Sequence, residues 1–426
     1  MFTPRLILDW TLYRLALLLA APLIPLRLLW RGRRERGYLQ HWDERFAFGP
    51  APVAGALWIH AVSVGEMRAA QPLIAALRAA QPGVPVLLTC MTPTGRATAE
   101  SLYGDFARIV YLPYDYAVLM RRFLHRVQPR VGILMETELW PNLIHAAARA
   151  QVPLVLANAR LSERSARGYA RLPALTRACI QRIETVAAQT GSDAARLQER
   201  GARTTCVTGN LKFDIAPPPE QLERGAAWKA QWGPRPVLLA ASTREGEEVP
   251  LLRAFAATAP AEVLLVLVPR HPQRFEAVAT LIEAAGLKYQ RRSALDGTEL
   301  KADTRVLLGD SLGELFAYYA ACDVAFIGGS LMPLGGQNLI EAASVGRPVL
   351  VGPYTFNFEE ATRLAIEAGA ALRVGDAPAL LEHALKLLGD EAARTRMGEA
   401  GLAFAARHRG AAARVEALVS PLLKVN

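Results

Sequence analysis

From residue 56 onward, short wholly apolar runs alternate with amphipathic stretches. In the first half ALWIHAVS precedes a helical pattern near 66–80, VPVLLTCM one at 95–103, and ARIVYLPY one at 116–127. RVGILME is followed by a helix from about 140, VPLVLANAR by 163–181, and TVAAQ closes the series. The apolar runs lack polar alternation, which predicts parallel strands covered by helices on both faces. Strands and helices alternating at this length specify a doubly wound α/β sheet. IAPPP at 215–219 interrupts the rhythm, and its prolines read as a stiff break. The alternation then restarts with RPVLLAAST, EVLLVLVPR, RVLLGD, CDVAFIGGS, PVLVGPY and AALRV, each followed by a helical stretch. Two αβ domains of similar size are expected, joined near residue 217, with a ligand cleft at the carboxyl ends of their strands.

The first 38 residues follow a different pattern. An apolar run from Leu15 to Leu26, broken by Pro22 and Pro25, leads into Arg27, Trp30, Arg31, Arg33, Arg34 and Arg36. Twelve residues fall short of the ~20 that span a bilayer, and counting from Leu6 through Trp30 accepts three charges. No small-residue cleavage site follows, which argues against a removed signal peptide. The arginines predict a membrane anchor, interfacial or a marginal signal anchor, with the rest of the chain on the cytoplasmic side. The alternative is an amphipathic helix packed on the first domain.

Length and composition support large cores: 426 residues, 52% hydrophobic and 21% charged, exclude a disordered or fibrous chain. The net charge of +10 calls for an anionic partner: nucleic acid, a lipid surface or a phosphorylated substrate. Cys90, Cys179, Cys206 and Cys322 match no metal-ligand spacing and read as core thiols in a reducing compartment. The seven histidines are scattered, so no metal site is expected.

Several strand ends carry candidate chemistry. Glu66 follows LWIHAVS through SVG, where it reads either as the glutamate of a capping box with Ser63 or as a carboxylate facing the ligand crevice. METELWPN (135–142) brings Glu136 and Glu138 to the same edge, an acid cluster able to perturb a pKa for base catalysis or a solvated rim. GNLKFD places Lys212 beside the linker, suited to a phosphate or a developing negative charge. In the second half VPRHPQRF sets Arg270, His271 and Arg274 after a strong strand, a pattern suited to phosphate recognition. GDSLGEL (309–315) and GGSLMPLGGQNLIEAAS (328–344) supply Gly328, Gly329, Gly335 and Gly336 for close backbone approach. A helix expected from Gln337 puts Glu341 one turn in, where a carboxylate can accept both hydroxyls of a ribose. The P-loop pattern GxxxxGK[ST] is missing from the sequence.

Together these motifs resemble the 3-deoxy-D-manno-octulosonic acid (Kdo) transferases of lipopolysaccharide biosynthesis. The likeness runs through SVGE (63–66), MTPTG (91–95), YLPYD (111–115), METELWPN, NARLS (158–162), GNLKFD, PRHP (269–272), GDSLGEL, GGQN (335–338) and GPYTFNF (352–358). It implies a GT-B fold: an N-terminal anchoring helix over 1–38, a Rossmann-like acceptor domain over 39–215, and a Rossmann-like donor domain over 216–426 facing it across a cleft. It further implies an inverting transfer of Kdo from CMP-Kdo to the lipid A precursor lipid IVA at the inner membrane, by a monomer using no cofactor. By motif, Glu66 is the general base, and Glu136 and Lys212 assist. Pro269, Arg270, Leu312, Gly313, Glu314, Asn338, Leu339, Ile340 and Glu341 hold the CMP moiety. Arg244 in ASTREGEE departs from the family's more usual histidine.

Other readings remain on this architecture. A uridine-nucleotide sugar transferase or epimerase fits the same fold. A membrane-associated nucleotide- or nucleic-acid-binding protein fits the charge but leaves the acids at 66 and 136 without a role. Nucleic acid is not expected as a partner, since no basic stretch interleaved with aromatics lies outside the first 38 residues.

Overall fold

A computed structural model describes residues 3–49, 53–295 and 299–423. The chain divides into two compact units, one running to Asp214 and resuming at Gly410, the other covering Ile215–Arg409.

The first unit is built on seven parallel strands: β1 (Leu57–His60), β2 (Val86–Cys90), β3 (Ala107–Tyr111), β4 (Val131–Met135), β5 (Leu154–Ala159), β6 (Thr185–Ala188) and β7 (Thr205–Val207). Their order is β3-β2-β1-β4-β5-β6-β7. From β1 the chain builds outward through β2 and β3, then returns to place β4 on the other flank of β1. The carboxyl ends of β1 and β4 therefore form the topological switch point, where open α/β sheets bind ligands. Every residue of β1, β2, β4, β5 and β6 is buried, as the apolar runs predict. Trp58, Leu87, Leu134 and Leu156 pack on one face of the sheet, and Leu57, Ile59, Leu88, Ile133 and Val155 on the other.

The second unit repeats the plan with β8 (Val237–Thr243), β9 (Leu264–Pro269), β10 (Tyr289–Arg291), β11 (Val306–Leu308), β12 (Val324–Ile327), β13 (Val349–Val351) and β14 (Ala371–Arg373). The order is β10-β11-β9-β8-β12-β13-β14, again all parallel, with its switch point between β8 and β12. Leu238, Leu265 and Phe326 from the sheet pack with Leu251 and Phe255 from the helix Glu248–Thr258.

Two expected boundaries are corrected. The second domain does not extend to residue 426, because the helix Ala411–Leu423 belongs to the first unit. Ala411, Ala412, Val415, Val419 and Leu423 form its buried stripe, in one core with Leu73, Ile74 and Leu77 of the helix Gln71–Ala80. Asp214 fastens the return by accepting the Gly410 N–H at 2.5 Å and the Ala412 N–H. The first 38 residues are not a separate element either. Their helices Pro4–Ala20 and Leu23–Gly32 meet at a 50° bend, and Leu6, Trp10 and Leu28 are buried. Asp9 accepts the N–H groups of Ala174 and Leu175, and the Tyr13 hydroxyl donates to Asp115 at 2.6 Å. The opposite face keeps Ile7, Leu8, Leu15, Leu18, Leu19, Leu23 and Leu26 exposed. Among the described residues no single helix is long and apolar enough to cross a membrane, although this bent pair passes the same test jointly.

Candidate active site

Glu66 lies in the first turn of the helix Val64–Ala69, three residues past its N-cap Ser63. Its Oε2 accepts the Val62 N–H at 2.8 Å, and its Oε1 accepts the Ser63 hydroxyl at 2.9 Å. The Ser63 Oγ also faces the Glu66 N–H at 3.4 Å. The capping reading is thus met. The carboxylate reaches back beyond the N-cap to Val62, and it does so at the switch point of the sheet. Burial pushes its pKa up to about 7, and the charges of Glu136 and Glu138 add to the rise. The Val62 N–H and Ser63 hydroxyl pull the other way without cancelling it. A carboxyl balanced near neutrality is suited to taking a proton from an alcohol.

Glu136 follows β4 directly, with a left-handed φ of 56°. Its N–H donates to the Ala157 carbonyl at 2.8 Å, and its carboxylate stands 3.8 Å from the Lys212 ammonium. Lys212 sits in the single 3₁₀ turn Leu211–Phe213 that follows β7. The expected acid cluster is real: Glu136, Glu138 and Lys212 gather around the same strand ends as Glu66. Glu138 is turned into the protein, accepting the Trp140 indole N–H at 2.9 Å, and burial raises its pKa.

Two residues here escaped sequence reasoning. Asp115, the last residue of YLPYD, caps the helix Pro141–Arg149 by accepting the N–H groups of Asn142 at 3.0 Å and Leu143 at 2.8 Å. Asn158, a polar residue inside the apolar strand LVLANA, accepts the Leu211 N–H at 3.0 Å. Its signal was available as the one amide in a run of buried aliphatics.

In the second unit the β8, β9, β11 and β12 ends share one edge. Pro269 ends β9, and the Arg270 N–H donates to the Thr243 carbonyl at 2.9 Å while its Nε lies 3.3 Å from the Gln337 side-chain oxygen. Burial lowers the His271 pKa, and the charges of Arg244, Arg270 and Arg274 lower it further, so His271 stays neutral among three arginines. Arg244 therefore belongs to this basic cluster. Arg274 grips the buried Glu248 through two bonds of 2.6 and 3.2 Å, which makes it a fold residue.

The helix expected from Gln337 begins only at Ile340 and ends at Ser344, and just ahead of it the Asn338 side-chain oxygen accepts the Ile340 N–H at 3.1 Å. Glu341 accordingly lies in its first turn, 3.2 Å from the Asn338 amide. Leu339 and Ile340 are wholly buried. Leu312 is 70% exposed, and Gly313 follows with a left-handed φ of 77°. Glu314 pairs with Arg224 at 2.8 Å and Arg292 at 3.7 Å.

Glu247, which the sequence reading passed over, ties this edge together. Its fully buried carboxylate accepts the N–H groups of Arg244 at 2.8 Å, Gly329 at 2.6 Å and Leu331 at 2.9 Å, joining the loops after β8 and β12. Gly328 is required there, since a Cβ would lie 2.6 Å from the Ser242 carbonyl oxygen. Among the described residues, no group of three or more His, Cys, Asp or Glu side chains is arranged to hold a metal ion.

Residues 40–215 match the family described as 3-deoxy-D-manno-octulosonic-acid transferase (kdotransferase). The chain is 50% identical over 421 residues to the 3-deoxy-D-manno-octulosonic acid transferase of Bordetella pertussis, covering 94% of this chain and 96% of that one. It is 38% identical to the enzyme of the same name from Haemophilus influenzae, covering 97% and 99%. In fold it is similar to a glycosyltransferase from Rickettsia africae, with a TM-score of 0.57 at 14% identity over 88% of this chain and 100% of that one. A UDP-N-acetylglucosamine 2-epimerase gives 0.51 at 14% identity over 82% and 91%. The two parallel sheets are thus those of a GT-B glycosyltransferase, and at these identities over nearly its whole length the chain belongs to the Kdo transferase family.

Proposed function

We propose that this enzyme transfers Kdo from CMP-Kdo to the lipid A precursor lipid IVA in lipopolysaccharide biosynthesis, with Glu66 as the general base. The supporting observation is the state of Glu66: a buried carboxyl at the switch point, held by two donors, with its pKa raised to about 7. An acceptor sugar hydroxyl is a poor nucleophile near neutral pH. As its oxygen bonds to the anomeric carbon of Kdo, Glu66 takes the proton, and the bond from that carbon to the CMP phosphate oxygen breaks with its electrons leaving on CMP. A single displacement of this kind inverts the anomeric centre and needs no added cofactor.

In this reading the Lys212–Glu136 pair sets the charge beside the reacting centre, and Arg270 with the loop ends at Leu312–Glu314 and Asn338–Glu341 receives the CMP moiety. The leucines exposed on the N-terminal helix pair, followed by Arg31, Arg33, Arg34 and Arg36, suit an interface rich in anionic lipid. We place the enzyme there, on the cytoplasmic face of the inner membrane, beside an acceptor that carries both phosphates and acyl chains.

The test is incubation of the purified protein with CMP-Kdo and tetraacylated lipid IVA, with product masses read beside a Glu66→Gln control. Gains in whole Kdo increments, lost in the control, are expected, and they also count the additions. Stabilisation by UDP and not by CMP in a thermal-shift measurement, with no Kdo transferred, would overturn the assignment.

A further inference from the structure

The turn that carries Lys212 is anchored in the first unit by the buried Leu211 and Phe213 side chains and by Asp214, and its backbone is also gripped by one buried side chain from another strand. Asn158 lies near the end of β5 with a left-handed φ of 54°, an uncommon conformation for a residue with a side chain. The β5–β6 register breaks between Leu156 and Ala159, so Asn158 stands at a bulge. The polar groups freed by the bulge are taken up locally. The Asn158 carbonyl accepts the Gln189 side-chain amide at 2.9 Å, and the Gln189 N–H donates to the Ala159 carbonyl at 2.9 Å. The turned side chain then points its Oδ1 at the Leu211 N–H, 3.0 Å away. Bulges beside active sites commonly re-aim one side chain in this way.

The adjoining residue of β5 reaches the other half of the pair. The Ala157 carbonyl accepts the Glu136 N–H at 2.8 Å. Consecutive residues of one strand thus hold the Glu136 backbone, through the Ala157 carbonyl, and the backbone of Leu211, next to Lys212, through the Asn158 side-chain oxygen, on the two sides of the 3.8 Å Lys212–Glu136 contact. Asn210 completes the mount by accepting the Lys212 N–H at 3.0 Å.

We infer that Asn158 is a positioning residue for the transfer reaction: its side chain fixes the Leu211–Phe213 turn so that the Lys212 ammonium is held against Glu136 beside the general base. This inference rests on the function proposed above. Only the Oδ1 is used in the clamp, because the Asn158 Nδ2 is buried without a hydrogen-bond partner among the described residues. An amide kept at a bulge for its acceptor alone is replaceable by an aspartate, which offers the same acceptor and tolerates a positive φ.

The experiment compares Asn158→Gly, Asn158→Asp and Lys212→Met in the full-length protein. Glycine adopts the same φ without strain and removes only the side chain. Its expected effect is a fall in kcat of about 10- to 100-fold, the scale of a catalytic group displaced by an ångström, with KM for CMP-Kdo changed by less than about twofold. Asn158→Asp is expected to restore kcat to within about threefold of the parent. In the Lys212→Met background, Asn158→Gly should cost less than about threefold further, since the group it positions is already gone. Amide exchange at Leu211 should quicken in the glycine variant and not in the aspartate one. A glycine variant that lowers Tm but keeps its kcat, or that multiplies the Lys212→Met defect in full, overturns the inference. Unchanged exchange at Leu211 overturns it without reference to turnover. Failure of the parent protein to transfer Kdo would instead strike the proposed function, while the exchange measurement still decides the clamp.

Discussion

Replacing Glu66 by glutamine should make the protein more stable as well as inactive, and the gain should depend on pH. The folded protein holds this carboxyl at about 7 against an ordinary value of 4.5, because burial penalises the charged form more than its two hydrogen bonds favour it. The folded state therefore binds a proton more tightly than the unfolded chain does, and the stability this confers is complete only below 4.5 and is lost as pH rises toward 7. A difference of that size corresponds to about 3 kcal/mol above pH 8 and to less than about 0.5 kcal/mol at pH 4.5. Glutamine is close in size, accepts from the Val62 N–H and never ionises, so it escapes the penalty. The buried Asp115 and Glu247 and the half-buried Glu138, each with a raised pKa, are present in both proteins and largely cancel in the comparison. Native-state hydrogen exchange of the β1 amides reads the first unit by itself, avoiding the mixed unfolding of a two-unit chain. The variant should gain about 3 kcal/mol over the parent at pH 8.5, while losing about 10² to 10⁴ in turnover. A difference in stability that stays constant between pH 4.5 and 8.5 would refute the argument, because Glu66 would then carry an ordinary pKa in the folded protein.

The same carboxyl should set the acidic limb of kcat/KM near pH 7, and Ser63→Ala, which removes a hydrogen bond that favours the ionised form, should move that limb to higher pH by about one pH unit. A pH profile measured on both proteins settles it; a limb that stays in place, or moves to lower pH, rejects the Ser63 contribution. Glu247→Ala leaves three N–H groups, two of them buried, without their acceptor and should cost the second unit about 3 kcal/mol, read from β8 amide exchange, together with a raised KM for CMP-Kdo. Leu15, Leu18 and Leu19 face solvent, so changing all three to glutamine should reduce partition into anionic vesicles by at least about a hundredfold. Tm should be unaffected, in contrast to deletion of the segment, which also removes the Asp9 and Tyr13 contacts to the first unit.

The internal strands were legible because a parallel strand covered on both faces has no polar alternation to confuse it. The strands missed, Thr205–Val207 and Tyr289–Arg291, are both edge strands, short and only partly covered, and TCV and YQR carry too little apolar signal to announce them. The closing helix was legible as a helix but its destination was not. An apolar stripe states that something must cover it, and the choice of the first unit depends on Asp214 meeting Gly410 across 196 positions of chain. Long-range pairings of this kind leave no periodicity.

The two sheets also bear on why the proposed mechanism assigns proton transfer to one strand-end glutamate and not to another. Glu66 follows β1 and Glu247 follows β8, each after the strand at its sheet's switch point and each with a pKa raised first by burial. Their surroundings then diverge. Glu247 is wholly buried and spends both oxygens on three backbone N–H groups, an arrangement that fixes two loops and leaves no lone pair facing outward. Glu66 accepts one backbone N–H and one hydroxyl and keeps 8% of its surface exposed, so acceptor capacity remains on a carboxylate balanced near neutrality. The sequence sets both glutamates among apolar strand ends without distinguishing them. The number of donors each one meets, fixed only when the loops close around it, makes Glu247 a rivet and leaves Glu66 the spare acceptor capacity that its proposed role as base requires.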